Sequence, residues 1–148
     1  MNQQLSIMPA PENDNTAIGI ARRNRLIRSA GSLGVTCDKF RDRIFWFTTE
    51  GGDINHQDEG GNSALTEAVE SKRGFAVETL LKHVSIDINR KRNDGFSAIF
   101  IAIIFKNTSL IRKLLLSGKV NTLLTDNSGN TIYHITLMES NWVTTRIL

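Results

Sequence analysis

An all-α fold of stacked helical repeats is predicted by three features of the 148-residue chain. Gly61, Gly95 and Gly129 recur at a constant step of 34 residues, each opening the same kind of string: Gly61-Asn62-Ser63-Ala64-Leu65, Gly95-Phe96-Ser97-Ala98-Ile99 and Gly129-Asn130-Thr131-Ile132-Tyr133. Later positions keep the step, with Ala68, Ala102 and Thr136, then Val77, Ile111 and Thr145, then Leu80, Leu114 and Leu148. Two short helical patterns fit inside each period, and helix pairs this short bury their apolar sides only by stacking on neighbours.

Residues 1–16 are polar and carry Pro9 and Pro11, so a mobile leader is expected there. A helix is expected from Ala17 to about Ser29, with Ile18, Ala21 and Ile27 on one face and Asn15 or Thr16 as its cap. The run Ala30-Gly31-Ser32-Leu33-Gly34 breaks it. A second helix fits Asp38 to Thr49, with Phe40, Ile44 and Phe47 on one stripe and Gly51-Gly52 as the stop. Residues 17–50 therefore read as a helical hairpin capping the stack.

The units fall at about 58–90, 92–124 and 126–148. In each, the glycine supplies a turn conformation that side chains disfavour, and Ser63, Ser97 or Thr131 sits where a helix N-cap belongs. First helices are expected at Ala64–Ser71 and Ala98–Lys106. Second helices carry Val77/Leu80/Leu81 and Ile111/Leu114/Leu115 at i, i+3, i+4. Asp87-Ile88-Asn89 and Val120-Asn121 form extended connectors.

From about Gly51 to Leu148 this pattern resembles the ankyrin repeat, whose first helix opens on Thr-Pro-Leu-His. Gly51-Gly52-Asp53-Ile54-Asn55 looks like the end of an earlier unit. The string from Asp126 to His134 keeps the family's Asp, Gly, Thr and His. Ala64, Ala98 and Ile132 replace the family's proline, and Lys72, Lys106 and Ser140 stand where a glycine usually ends the first helix. A left-handed conformation at those residues would cost on the order of 1 kcal/mol each. Trp46 and Phe47 fall at the register of Leu80 and Leu81, which suits the hairpin's capping role. The chain stops inside the third unit's second helix, so a longer protein, or a partner over the last edge, is expected.

Composition narrows the function. With 40% hydrophobic and 22% charged residues the chain is too apolar for wholesale disorder, and a net charge of +3 gives no general pull on nucleic acid. A single Cys37 excludes an intramolecular disulfide and a cysteine zinc site, and suits a reducing compartment. No apolar run approaches the ~18 residues of a spanning helix, and residues 1–16 lack the pattern of a secretory signal. A cytoplasmic chain is expected, or one exported into a host cell by another route. His56 and His83 have no partners at metal-ligand spacing, and the family resemblance gives His134 a structural role bracing neighbouring loops. No metal, cofactor or catalytic residue is expected, and the chain is read as no enzyme.

Function is then expected on the surface. The resemblance implies a noncatalytic module that binds a protein through its hairpin tips and the exposed side of its first helices. The tips supply Glu59, Asn93, Asp94 and Asn127, and the first helices supply Ile104, Phe105 and Met138. Ala98 to Phe105 is apolar throughout. Ile99, Ala102 and Ile103 are assigned to the core, while Phe96, Ile104 and Phe105 are assigned to a partner-binding patch. The alternative is an anion site for nucleic acid or acidic lipid at Arg22, Arg23, Arg25 and Arg28, to which Lys39, Arg41, Arg43 and Arg90-Lys91-Arg92 add charge. Interleaved Asp38 and Asp42 favour a solvated face, so nucleic acid is not the expected partner. A third reading makes the chain the recognition part of a larger protein; otherwise a monomer is expected.

Overall fold

The computed structural model describes residues 17–139 and 146–148, the side chains of residues 17–19 and 22 apart. The expectations for the leader 1–16, its capping residues Asn15 and Thr16, Ser140, Thr145 and the Arg22 side chain lie outside the described residues. Among the described residues the fold is all-α: α1 (Ala17–Gly31), α2 (Cys37–Thr49), α3 (Ala64–Glu70), α4 (Gly74–Leu81), α5 (Ala98–Ile104), α6 (Thr108–Leu116) and α7 (Ile132–Met138). No strand occurs among them beyond one isolated antiparallel bridge between Thr125 and Thr131.

The helices form two layers. In the inner layer α1, α3, α5 and α7 lie side by side, and in the outer layer α2, α4 and α6 do the same. Each pair turns on a tight connection. Helix α3 ends at Glu70 with Ser71 as its C-cap, and Lys72 takes a left-handed φ of 55° before α4 begins; Lys106 repeats this at φ 53° between α5 and α6. The chain thus places lysine where backbone sterics favour glycine, as the family comparison of positions predicted. Both strained lysines reach the next unit. The Lys72 ammonium lies 5.6 Å from the centre of the Phe105 ring, and Lys106 pairs with Glu139 at 3.5 Å.

The shared interior runs the length of the stack. Ile44, Leu65, Val69, Val77, Leu80, Ile99, Ile103, Ile111, Leu114 and Ile132 belong to one contiguous buried cluster. Every residue of α5 from Ala98 to Ile103 is buried, which explains why that helix is apolar on all sides: α3 covers one flank, α7 the other and α6 its back.

Connectors are tied from unit to unit by carboxamides. Asn55 donates from Nδ2 to the Ser85 carbonyl (2.7 Å) and accepts the Asp87 N–H at Oδ1 (2.7 Å). Asn89 repeats both bonds one unit later, to the Lys119 carbonyl (2.9 Å) and from the Asn121 N–H (2.7 Å).

The N-terminal hairpin departs from its expected register. The sequence register pairs Trp46 with Leu80, yet Trp46 is 64% exposed and Leu80 is fully buried. Helix α2 ends at Thr49, six residues before Asn55, whereas α4 ends at Leu81, eight before Asn89. That shorter connector moves Phe40 and Ile44 into the core in place of Trp46, while Phe47 is half-buried against it. Helix α1 also differs. It runs on to Gly31, and its buried side is Leu26, Ile27, Ser29 and Ala30, with Ala21 exposed.

Candidate functional site

The hairpins between units form a row along one edge of the stack. Asp58 builds the first, its Oδ1 accepting the N–H groups of Gly60 (3.0 Å) and Asn62 (2.8 Å). Asp126 builds the third identically, accepting from Ser128 and Asn130, both at 2.8 Å. Desolvation alone would raise the Asp126 pKa, but the bonds from the Asn130 backbone and side chain and the Ser128 N–H outweigh it and hold the carboxyl below its ordinary value. The middle hairpin has Arg92 in place of that aspartate. There Asp94 accepts the Phe96 N–H at 3.0 Å, and Arg92 bonds Glu70 at 2.6 Å and Asp94 at 3.5 Å.

Adjacent tips are braced to each other. Asn93 donates to the Glu59 carbonyl (2.8 Å), and Asn127 donates to the Asn93 carbonyl (3.0 Å). The glycines permit this approach: a Cβ on Gly61 would sit 2.6 Å from the Asn93 nitrogen, and one on Gly95 would sit 2.5 Å from that of Asn127, both at positive φ. Glu59, Asn93, Asp94 and Asn127 all remain exposed along this row.

First-helix ends supply the apolar part. Ile104 and Met138 occupy the same position of successive units, as do Phe105 and Glu139. Ile104 is half-buried, Phe105 is 44% exposed beneath the Lys72 ammonium, and Met138 is 73% exposed. Phe96 behaves differently from the other candidates. It is half-buried against the core, its ring centre 5.9 Å from that of the fully buried Phe100. Tyr133 and Leu137, absent from the candidates expected from sequence, join this apolar surface. Both are exposed on α7, although their counterparts Leu65, Ile99, Val69 and Ile103 are buried under a following unit. The repeat register itself was the signal.

This layout of paired helices, hairpin row and periodic glycine matches a known family. The family model described as ankyrin repeats (3 copies) fits residues 37–126. The chain belongs to the ankyrin-repeat family. The match opens at the first residue of α2, so the hairpin's second helix is included. Human (Homo sapiens) Rabankyrin-5 is similar at 26% identity over 90 residues, which is 61% of this chain and 8% of that protein. The chain thus matches only a small part of the length of this relative. Ankyrin repeats serve in general as protein–protein interaction modules and are typically noncatalytic. No helix among the described residues is long and apolar enough to cross a membrane.

The ankyrin histidine position holds His134, whose Nδ1 accepts the Thr131 N–H at 3.1 Å and lies 2.8 Å from the Thr131 hydroxyl. These bonds stay within its own turn, where bracing of neighbouring loops was expected. The arginine candidates separate. Arg25 and Arg28 face a hollow that also takes Arg43 of α2, whereas Arg23 lies close enough to His56 to affect its charge. His56 is half-buried between α1 and the first hairpin, with Nε2 3.3 Å from the Asn24 Oδ1. Burial, then Arg23, lowers its pKa; Asp53 and Asp58 oppose this, and Arg90 adds to it.

Proposed function

We propose that this chain is a noncatalytic protein-interaction module that grips a protein partner along its hairpin row and first-helix ends. In this reading 17–50 is a degenerate capping unit, and 58–90, 92–124 and 126–148 are the repeats that carry the binding face. Glu59, Asn93, Asp94 and Asn127 present polar groups at the tips, and Ile104, Phe105 and Met138 form the apolar anchor beside them. The observation that carries the reading is Phe105. It stands 44% exposed at the end of a helix whose other residues are wholly or half buried, and a stripe of large apolar side chains on an otherwise polar face marks an interaction site. Phe96 would support this anchor from below rather than touch the partner. The hydrogen-bonded tips fix the face before binding, so little ordering entropy is lost on docking. A reducing, cytosol-type setting fits the one exposed cysteine, Cys37.

The test is Phe105→Ser, with Met138→Ser as its companion. Proteins captured from a cell lysate by the intact chain should be lost with either variant, while the melting temperature stays within a few degrees of the parent. Capture that survives both substitutions removes this face from consideration. A large fall in melting temperature would make Phe105 a core residue.

A further inference from the structure

The N-terminal hairpin carries two adjoining hollows that the repeat face does not use. One, of about 350 Å³, is lined by Ala21, Arg25, Arg28, Ser29, Ser32 and Arg43. The other, also about 350 Å³, is lined by the same Arg25 and Arg43 together with Leu26, Trp46, Phe47, Asp42 and Glu50. The first is lined by three arginines and by no acidic residue. Among the described residues, the ion pairs involve Arg41, Arg92, Lys106 and Lys113, and none engages Arg25, Arg28 or Arg43. Helix α2 therefore brings Arg43 to two α1 arginines one helical turn apart, three like charges with no direct ion pair among the described residues and with the carboxylates of Asp42 and Glu50 in the adjoining hollow. Such an arrangement is unfavourable when empty and favourable around an anion.

We propose that this double hollow is a binding site for a phosphorylated peptide segment, separate from the repeat face. Arg25, Arg28 and Arg43 take the phosphate, a doubly charged acceptor that arginine forks can hold in bidentate fashion. The side chain next to the phosphorylated residue enters the slot formed by Leu26, Trp46 and Phe47. Trp46, 64% exposed and stacked edge-on against Phe45 at 5.9 Å, forms the open wall of that slot. Asp42 and Glu50 then favour a basic residue beyond the apolar one. The same carboxylates argue against an anionic bilayer, which would press negative lipid headgroups onto them. The size of each hollow suits a side chain rather than a flat surface contact.

The experiment uses the full chain and fluorescein-labelled peptide pools with phosphoserine beside Leu or Phe and Lys further on, against their unphosphorylated twins. Fluorescence anisotropy should show the phosphorylated pool binding at least about tenfold more tightly. Arg28→Gln and Arg43→Gln should each weaken it about tenfold, the size of one lost charge-assisted hydrogen bond. Trp46→Ala should weaken peptide binding yet leave competition by inorganic phosphate unchanged, which separates a peptide site from a bare phosphate site. Phe105→Ser should have no effect, so failure here and failure of the repeat-face reading are distinguishable. Equal binding of the two pools, or indifference to Arg43→Gln, overturns the proposal. So does arginine-dependent cosedimentation with phosphatidylserine vesicles in the absence of peptide binding.

Discussion

Each first helix opens on a small hydroxyl, but the three positions are not equivalent in what that hydroxyl finds. Ser63 accepts the Thr66 N–H at 3.3 Å, and the Thr66 hydroxyl accepts the Ser63 N–H at 2.8 Å, closing a reciprocal cap. In the next unit the residue at Thr66's position is Phe100, which has no hydroxyl, and the Ser97 Oγ is buried without a hydrogen-bond partner. Phe100 instead fills the interior beneath Phe96. Ser63→Ala should therefore cost about 1 kcal/mol in urea unfolding. Ser97→Ala should cost nothing or stabilise, because it removes an unsatisfied buried group. The left-handed lysines make a second pair. Lys106→Gly should raise stability by about 0.5–1 kcal/mol, since it relieves steric strain and surrenders only an exposed ion pair. Lys72→Gly should gain less, because it gives up the contact with the Phe105 ring, worth about 0.5–1 kcal/mol at an exposed site. His56 sets a pH dependence. Its folded pKa lies below the ordinary 6.5, so the unfolded chain binds the proton more readily. The stability it contributes is complete above that value and is lost as pH falls through the folded pKa. Melting temperature should drop on going from about pH 7 to pH 5, and His56→Gln should flatten the drop; Asp126 and Glu78, both lowered from ordinary carboxylate values, act only at more acidic pH.

At the scale of elements, the repeat step was the most legible feature, because turn glycines and helix-facing apolar residues obey different physical demands and still share one period. The helix pairs of 58–124 followed from it, with boundaries displaced by one or two residues where Ser71 and Phe105 act as caps. The hairpin 17–50 was legible as two helices, and Phe40 and Ile44 as its core side. Its register was not, because a connector two residues shorter rotates which aromatic residue meets the stack, and Gly51-Gly52 marks where the helix stops without showing how long the connector is. The candidate site shows the same division. Exposure of Phe105 could be read from the end of a helix with more apolar residues than its neighbours cover, whereas Ile104 is half-buried and Met138 on α7 followed from its place in the repeat. The tip asparagines were chosen for their position alone, and their bracing bonds emerge only when adjacent units are in place. Convergence of Arg43 on Arg25 and Arg28 depends on how α1 and α2 cross, which no single-helix pattern encodes.

For the whole molecule, what matters is that units of 34 residues hold one another, the interior running the length of the stack and the carboxamide ladder tying successive connectors at two of its steps. Neither layer is self-sufficient: α3, α5 and α7 are seven residues each, too short to persist as isolated helices. The rigidity that the proposed binding face needs would come from that mutual support, as a loose stack would not keep the tips and Phe105 in fixed relation. The most direct measurement is amide hydrogen exchange at Asp87 and Asn121, by NMR, in the parent and in Asn89→Ala. Both N–H groups sit on exposed connector residues and are held only by the carboxamide of the unit before, Asn55 for one and Asn89 for the other. Stacking in register predicts slowed exchange at both amides in the parent. In the variant, Asn121 should exchange freely and Asp87 should stay protected. Free exchange at both amides in the parent, or protection of Asn121 that survives the loss of Asn89, would contradict the stacked-unit architecture on which the proposed binding face depends.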